Sequence, residues 1–263
     1  MQLTVVGCSG SVSGPECPAS SYLVRAPYEG RTFSLVLDLG PGAFGALYRY
    51  LEDPSEVDAL ALSHLHPDHC LDVCAFYVAA RYSATAPWPR IPLYGPRGTA
   101  QRLTRAYDVP RLTGDPHDAP EGMLQHFDHR EWGAVQAIGP FDVRAVRVEH
   151  PVEAFAVRVE EREGSGSLVY SGDTGPCQAL NALAVDADVL LAEAGFLAGP
   201  DVPPAVHLTG RDAAEAGTAA GVGRLILTHI PPWHAPDDVL AEAVPHFDGP
   251  VELARPGAQW TIG

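Results

Sequence analysis

The chain has 263 residues, with 17 basic against 33 acidic side chains and a formal charge of −16 when histidine is neutral. Every basic residue is arginine, which excludes a lysine-based phosphate loop and Schiff-base chemistry. The acidic balance argues against general binding of long nucleic acid, because phosphate attraction supplies most non-specific affinity.

The length, with 46% hydrophobic and 19% charged residues, suits one large domain or two small ones, and with no segment that looks like an interdomain linker a single domain over 1–263 is expected. The opening Met1-Gln2-Leu3-Thr4-Val5-Val6 lacks the basic start and long apolar stretch of a signal peptide. No run approaches the ~18 apolar residues of a membrane span. The cysteines, Cys8, Cys17, Cys70, Cys74 and Cys177, are odd in number and irregularly spaced. These features predict a reduced, cytoplasmic protein with no membrane partner.

In chain order, short apolar runs closed by turn signals predict strands at 3–6, 20–25 and 33–37, then a helix over 43–51. A strand at 59–62 precedes a helix at 71–82. A strand at 91–94 and a helix at 99–107 follow. The stretch 111–133, rich in Pro, Gly, Asp and His, reads as a long loop carrying His126, His129 and Trp132. Strands come next at 143–148, 155–159 and 167–170, then a helix at 178–183 and a strand at 189–191. Thr209-Gly210-Arg211-Asp212 has the form of a capping box and opens a helix to about Ala220. A strand at 224–227, a helix opened by Pro236-Asp237-Asp238, and strands at 251–253 and 259–262 complete the chain. Many strands follow one another directly, which suits two stacked mixed sheets with helices outside.

The densest chemistry lies in Ser63-His64-Leu65-His66-Pro67-Asp68-His69, directly after an apolar strand. Imidazole and carboxylate are preferred ligands of divalent metals such as zinc. His64 and His66 sit two apart on extended chain and can turn to one side. Asp68 and His69, past the Pro67 turn, can face a second position about 3.5–4 Å away, the usual two-metal spacing. Three later strands also end in a ligand-type residue and a turn: His150 before Pro151, Asp173 in Ser171-Gly172-Asp173-Thr174-Gly175, and His229 before Ile230-Pro231-Pro232. Strand ends of one sheet reach a common rim, so these residues can converge.

The set His64-x-His66-x-Asp68-His69, His150, Asp173 and His229 resembles the metallo-β-lactamase superfamily in its ribonuclease Z-like, phosphodiesterase branch. Gly7–Ser11, Pro18-Ala19-Ser20, Tyr170–Gly175 and His207-Leu208-Thr209-Gly210 are most similar to actinobacterial atypical class II cyclic-nucleotide phosphodiesterases. The resemblance implies an α/β, four-layer αββα sandwich with its site at one edge between the sheets. It implies two divalent metal ions, zinc by ligand type, with manganese or iron compatible. His64, His66 and His150 would hold the first, Asp68, His69 and His229 the second, and Asp173 would bridge them. A bridging hydroxide would be the nucleophile. His207 would protonate the leaving group, and Glu193 would orient His207. Asp68 would thus serve both coordination and catalysis.

Ribonuclease Z carries a long basic arm between the third histidine motif and the bridging aspartate; here 150–173 holds only a strand pair and a turn. Small phosphodiesters, cyclic nucleotides first, are therefore the expected substrates, with a homodimer left open. The alternatives are an RNA 3′-end nuclease, a hydrolase of another ester, lactone or β-lactam, and a nucleotide sensor without turnover. The turn Gly7–Ser11 offers backbone N–H groups for phosphate, although a tight turn explains its glycines equally.

Overall fold

The computed structural model describes residues 1–108, 120–200 and 202–263. The first half of the chain builds one seven-stranded sheet, closed by the C-terminal strand. Its strands are β1 (Gln2–Gly7), β2 (Ser21–Tyr28), β3 (Arg31–Leu37), β4 (Ala59–Ala61), β5 (Ile91–Gly95), β6 (Phe127–Glu131) and β14 (Gln259–Thr261), in the order β14-β1-β2-β3-β4-β5-β6. The second sheet contains β7 (Gln136–Ile138), β8 (Phe141–Arg147), β9 (Phe155–Glu161), β10 (Ser167–Tyr170), β11 (Val189–Glu193), β12 (Leu225–Thr228) and β13 (Val251–Leu253). These run in the order β13-β12-β11-β10-β9-β8-β7.

Three apolar layers follow from the side-chain alternation of these strands. Between the sheets lie Leu3, Val5, Tyr22, Val24, Leu35 and Leu37 against Phe141, Val157, Val159, Leu168, Tyr170 and Leu191, all buried. The opposite face of the first sheet packs against α1 (Ala43–Leu47), α3 (Asp72–Tyr82), α4 (Thr99–Tyr107) and Met123 of α5 (Pro120–His126). The opposite face of the second packs against α6 (Gln178–Ala184), α7 (Gly210–Ala220) and α8 (Pro236–Ala243). The architecture is the αββα sandwich expected. The capping box also forms: Thr209 Oγ1 accepts from the Asp212 amide at 3.1 Å, and Asp212 accepts from the Thr209 amide at 3.0 Å.

The expected loop at 111–133 is corrected in its second part, where α5 and β6 lie. Its stretch 111–119 falls outside the described residues. β6 pairs in parallel with β5 at the sheet's edge, and its Asp128, Arg130 and Glu131 are polar edge residues that hide the strand period. Trp132, expected in that loop, is tied to the first sheet: its indole donates to the Leu62 carbonyl at 2.9 Å and stacks on Tyr94. The helix expected over 43–51 ends at Leu47. A short helix, α2 (Pro67–Cys70), precedes α3.

Candidate metal centre

In the second sheet β10, β11 and β12 run parallel, and the double reversal from β8 through β9 turns β8 the same way; with β4 of the first sheet, five strand ends bring ligand-type residues together. β4 delivers Ser63 and His64. His66 then occupies the cap position of α2, with Pro67 at its first turn. One turn of helix carries Asp68 and His69 inward, and both are buried. The close approach of the β3 exit to this turn requires Gly40, where a Cβ would collide with the Asp68 carbonyl oxygen. His150 arrives after β8, Asp173 after β10, Glu193 ends β11, and His229 follows β12. His229 itself has φ 56°, the left-handed region, held there by its surroundings.

The seven ligand-type residues converge as two groups sharing Asp173: His64, His66, His150 and Asp173, and Asp68, His69, His229 and Asp173. In the first, His66 Nδ1 is 3.1 Å from His64 Nε2 and 3.1 Å from His150 Nε2. In the second, His69 Nε2 is 3.2 Å from His229 Nε2 and from Asp173 Oδ1, while His229 Nε2 is 3.1 Å from Asp68 Oδ2. Metal–ligand bonds of ~2.0–2.1 Å in tetrahedral geometry place donor atoms roughly 3.3 Å apart. The observed separations fit such ligand edges. His66 Nδ1 and the two ring nitrogens beside it cannot all be satisfied by protons among themselves, whereas a cation satisfies all three. Asp173 Oδ1 is likewise buried with no well-directed hydrogen bond among the described residues, facing the His69 ring nitrogen at 3.2 Å, a position a cation between them would satisfy.

The outer hydrogen bonds fix which nitrogens face inward. His150 donates from Nδ1 to the Val206 carbonyl at 2.8 Å. His69 Nδ1 binds Asp38 Oδ2 at 2.7 Å. His64 Nδ1 reaches Ser63 Oγ at 3.1 Å, and that hydroxyl donates to Asp38 Oδ2 at 2.7 Å. Tyr170 donates to the same oxygen at 2.8 Å. Asp38, fully buried at the end of β3, therefore orients ligands of both groups. Sequence reasoning missed it; the signal was a lone carboxylate directly after the apolar run Phe33–Leu37, in Leu37-Asp38-Leu39-Gly40.

Electrostatics matches this arrangement. Burial and then the neighbouring His69 depress His64 well below the ordinary histidine range, which leaves it neutral with a lone pair to give. Burial depresses His66 and His150 as well. Burial opposes ionisation of Asp68, but hydrogen bonds from His229 and His69 outweigh it and hold the carboxyl far below its usual value.

His207 sits beside this cluster, before α7. Its Nδ1 is 2.8 Å from Glu193 Oε1, and Phe196 packs edge-on against its ring. Burial alone would lower its pKa; the hydrogen bond and charge of Glu193 override that and bring it to about 8. Glu193 is fully buried and also accepts from the Thr174 amide at 3.0 Å and the Gly195 amide at 2.9 Å. Burial raises its pKa and His207 opposes the rise. A third metal-compatible grouping, Glu193, His207 and His229, exists on distance alone. Both Glu193 oxygens are already occupied by N–H donors, so this group reads as a hydrogen-bonded dyad beside the centre.

The Gly7–Ser11 turn spends its amides on neighbouring segments of the chain. Ser9 donates to Pro18, Gly10 to Ile230 and Val12 to Gly10, which leaves Ser11 N 3.4 Å from His229 Nε2. The turn thus reads as a brace for His229. Cys70 is a buried packing residue, its Sγ 3.3 Å from the His66 carbonyl.

A family model described as the β-lactamase superfamily domain matches residues 34–230. The chain belongs to the β-lactamase superfamily. With a His/Asp cluster suited to divalent metal at the sheet edge, this superfamily member is a metallohydrolase. It is 45% identical over 264 residues to an uncharacterised protein of Mycobacterium leprae, covering 100% of this chain and 89% of that one. It is 31% identical over 277 residues to a ribonuclease Z of Mycolicibacterium gilvum, covering 96% and 93%. The crystal structure of the metallo-β-lactamase fold protein YhfI of Bacillus subtilis superposes with a TM-score of 0.82 at 27% identity, covering 99% of each chain. No helix among the described residues is long and apolar enough to cross a membrane.

Proposed function

We propose that this superfamily member is a dinuclear metal-dependent phosphodiesterase whose substrates are cyclic nucleotides of the cyclic AMP class. The observation that carries the reading is the His207–Glu193 dyad set beside two ligand groups joined by Asp173. A ribose alkoxide is a poor leaving group, and a histidine held by one ring nitrogen on a buried carboxylate is suited to protonate it.

His64, His66 and His150 would hold one ion, Asp68, His69 and His229 the other, and Asp173 both. Zinc suits the donor set, and manganese or iron fits it also. Bound there, the ions supply an activated water and neutralise charge on the phosphate. Asp38 keeps His69 aimed inward directly and His64 through Ser63, while Tyr170 donates to the same carboxylate. Glu193 fixes His207 with Nδ1 engaged, which leaves Nε2 to carry a proton to the departing ribose oxygen. The pKa of about 8 keeps that proton in place near neutrality.

The interval between His150 and Asp173 is filled by the β9–β10 hairpin, with no room in the chain for an RNA-gripping arm. That feature and the charge of −16 favour a small substrate over precursor tRNA, in a protein of the cytoplasm with no membrane or long nucleic-acid partner. The test is a panel of cyclic AMP, cyclic GMP, precursor tRNA and a lactone, assayed with metal-loaded protein. Turnover of cyclic nucleotides is expected. Efficient cleavage of precursor tRNA with cyclic AMP untouched would replace this reading with the nuclease.

A further inference from the structure

A groove of about 1210 Å³ lies beside the metal centre and not over it. Its wall contains two thiols, Cys8 and Cys17, together with Arg49, Arg255, Glu16 and His234. The sulfurs are 3.4 Å apart. The backbone around them is already joined: the Ser9 amide donates to the Pro18 carbonyl at 3.1 Å, and Ser9 bridges Ala19. Closing the remaining gap to disulfide length therefore takes side-chain rotation and a small shift of the turn at Cys8, with the Ser9–Pro18 pairing kept.

We propose that Cys8 and Cys17 form a redox-active thiol pair that closes to a disulfide on oxidation by hydrogen peroxide. Two groups divide the work. Cys17 is half-buried, and the hydrogen bond from Cys8 lowers its pKa to about 7, which gives it thiolate character. Cys8 is buried, and the same hydrogen bond, with burial, keeps its proton on. The Cys17 thiolate attacks one peroxide oxygen; the S–O bond forms, the O–O bond breaks, and the departing hydroxide takes up a proton as water. The Cys8 sulfur, giving up its proton, then attacks the Cys17 sulfur. The S–S bond forms, the S–O bond breaks, and a second water leaves. Two thiols lose two electrons and two protons, and one peroxide becomes two waters.

The pair is coupled to the metal centre through the turn that follows Cys8. Gly10 packs without slack on His229: a Cβ at Gly10 would collide with the His229 carbonyl oxygen, and the Gly10 amide donates to Ile230. A shift of Cys8 toward Cys17 is therefore transmitted to a ligand-type residue.

The test treats metal-loaded protein with one equivalent of hydrogen peroxide, alkylates the remaining thiols and maps the peptides by mass spectrometry. Free thiols should fall from the five cysteines of the chain to three, with a Cys8–Cys17 linkage two hydrogens lighter and reversed by dithiothreitol. Cys8→Ser and Cys17→Ser should each abolish the linkage while keeping basal activity. Recovery of Cys8 and Cys17 as alkylated thiols, or of Cys17 as sulfinic acid beside free Cys8, would overturn the pair. The oxidised form should also turn over bis(p-nitrophenyl) phosphate roughly tenfold more slowly, as expected for a small displacement at a reactive centre. A disulfide with unchanged turnover overturns the coupling to His229. That activity arm rests on the phosphodiesterase reading; the thiol count does not, so an inactive reduced protein would fail that reading alone.

Discussion

Glu193 Oε1 lies 2.8 Å from His207 Nδ1, and the carboxylate is wholly buried at the end of β11 while its imidazole partner is not. This makes Glu193 a fixed anchor and His207 the member that can face a substrate. Truncating the imidazole should therefore affect chemistry selectively. His207→Ala should lower kcat on a cyclic nucleotide by roughly 10²–10⁴-fold. A nitrophenyl phosphodiester, whose leaving group needs no proton, should be hydrolysed at close to the wild-type rate with metal content unchanged. Equal losses on both substrates would assign His207 to binding or coordination.

The same pair predicts a pH limb. Glu193 raises the folded-state pKa of His207 to about 8, so the acid form is complete below that value and is lost as pH rises through it. Turnover of a cyclic nucleotide should fall through about pH 8, and the nitrophenyl substrate should lack that limb. Glu193→Gln removes the charge that holds the pKa up, so the limb should move to lower pH with a smaller loss of kcat than His207→Ala shows. An unmoved limb in this variant would assign it to another group.

Asp38 offers a test that does not depend on turnover. Its Oδ2 receives His69, Ser63 and Tyr170. Asp38→Asn should weaken metal affinity about 10–100-fold, the usual effect of removing a partner behind a ligand. Competition with a chromogenic chelator reads this directly. Wild-type affinity in the variant would mean that His69 is positioned by its helix alone.

The sheets are tied beside His229 by Tyr22, whose hydroxyl is 2.7 Å from Thr228 Oγ1, both groups being buried. Tyr22→Phe should cost about 1–3 kcal/mol by stranding the Thr228 hydroxyl. Chemical denaturation should show a lower midpoint with the slope unchanged. No change would indicate that Thr228 finds another partner.

Much of this architecture was legible in the chain. Strands such as 59–62 and 189–191 are continuous apolar runs because both faces are covered, and Ser63 to His69 follows the first of them directly. The capping box at Thr209 is readable because its two hydrogen bonds are local. The edge strand β6 was hidden, since a polar edge lacks the alternation that marks a half-buried strand. Asp38 was hidden for a different reason: one carboxylate after a strand reads as a turn until its distant partners His69 and Tyr170 are placed against it. The thiol pair was equally invisible, because Cys8 and Cys17 become neighbours only when the turn folds back through Ser9 and Pro18.

The claim on which the account depends is that Asp173 joins two metal sites. Elemental analysis of purified, fully loaded protein, compared with its Asp173→Ala variant, tests it most directly. Two equivalents per chain are expected in the wild type, with both sites weakened together in the variant. One equivalent at full activity, or a variant that loses one ion and holds the other as tightly as before, would contradict the dinuclear centre.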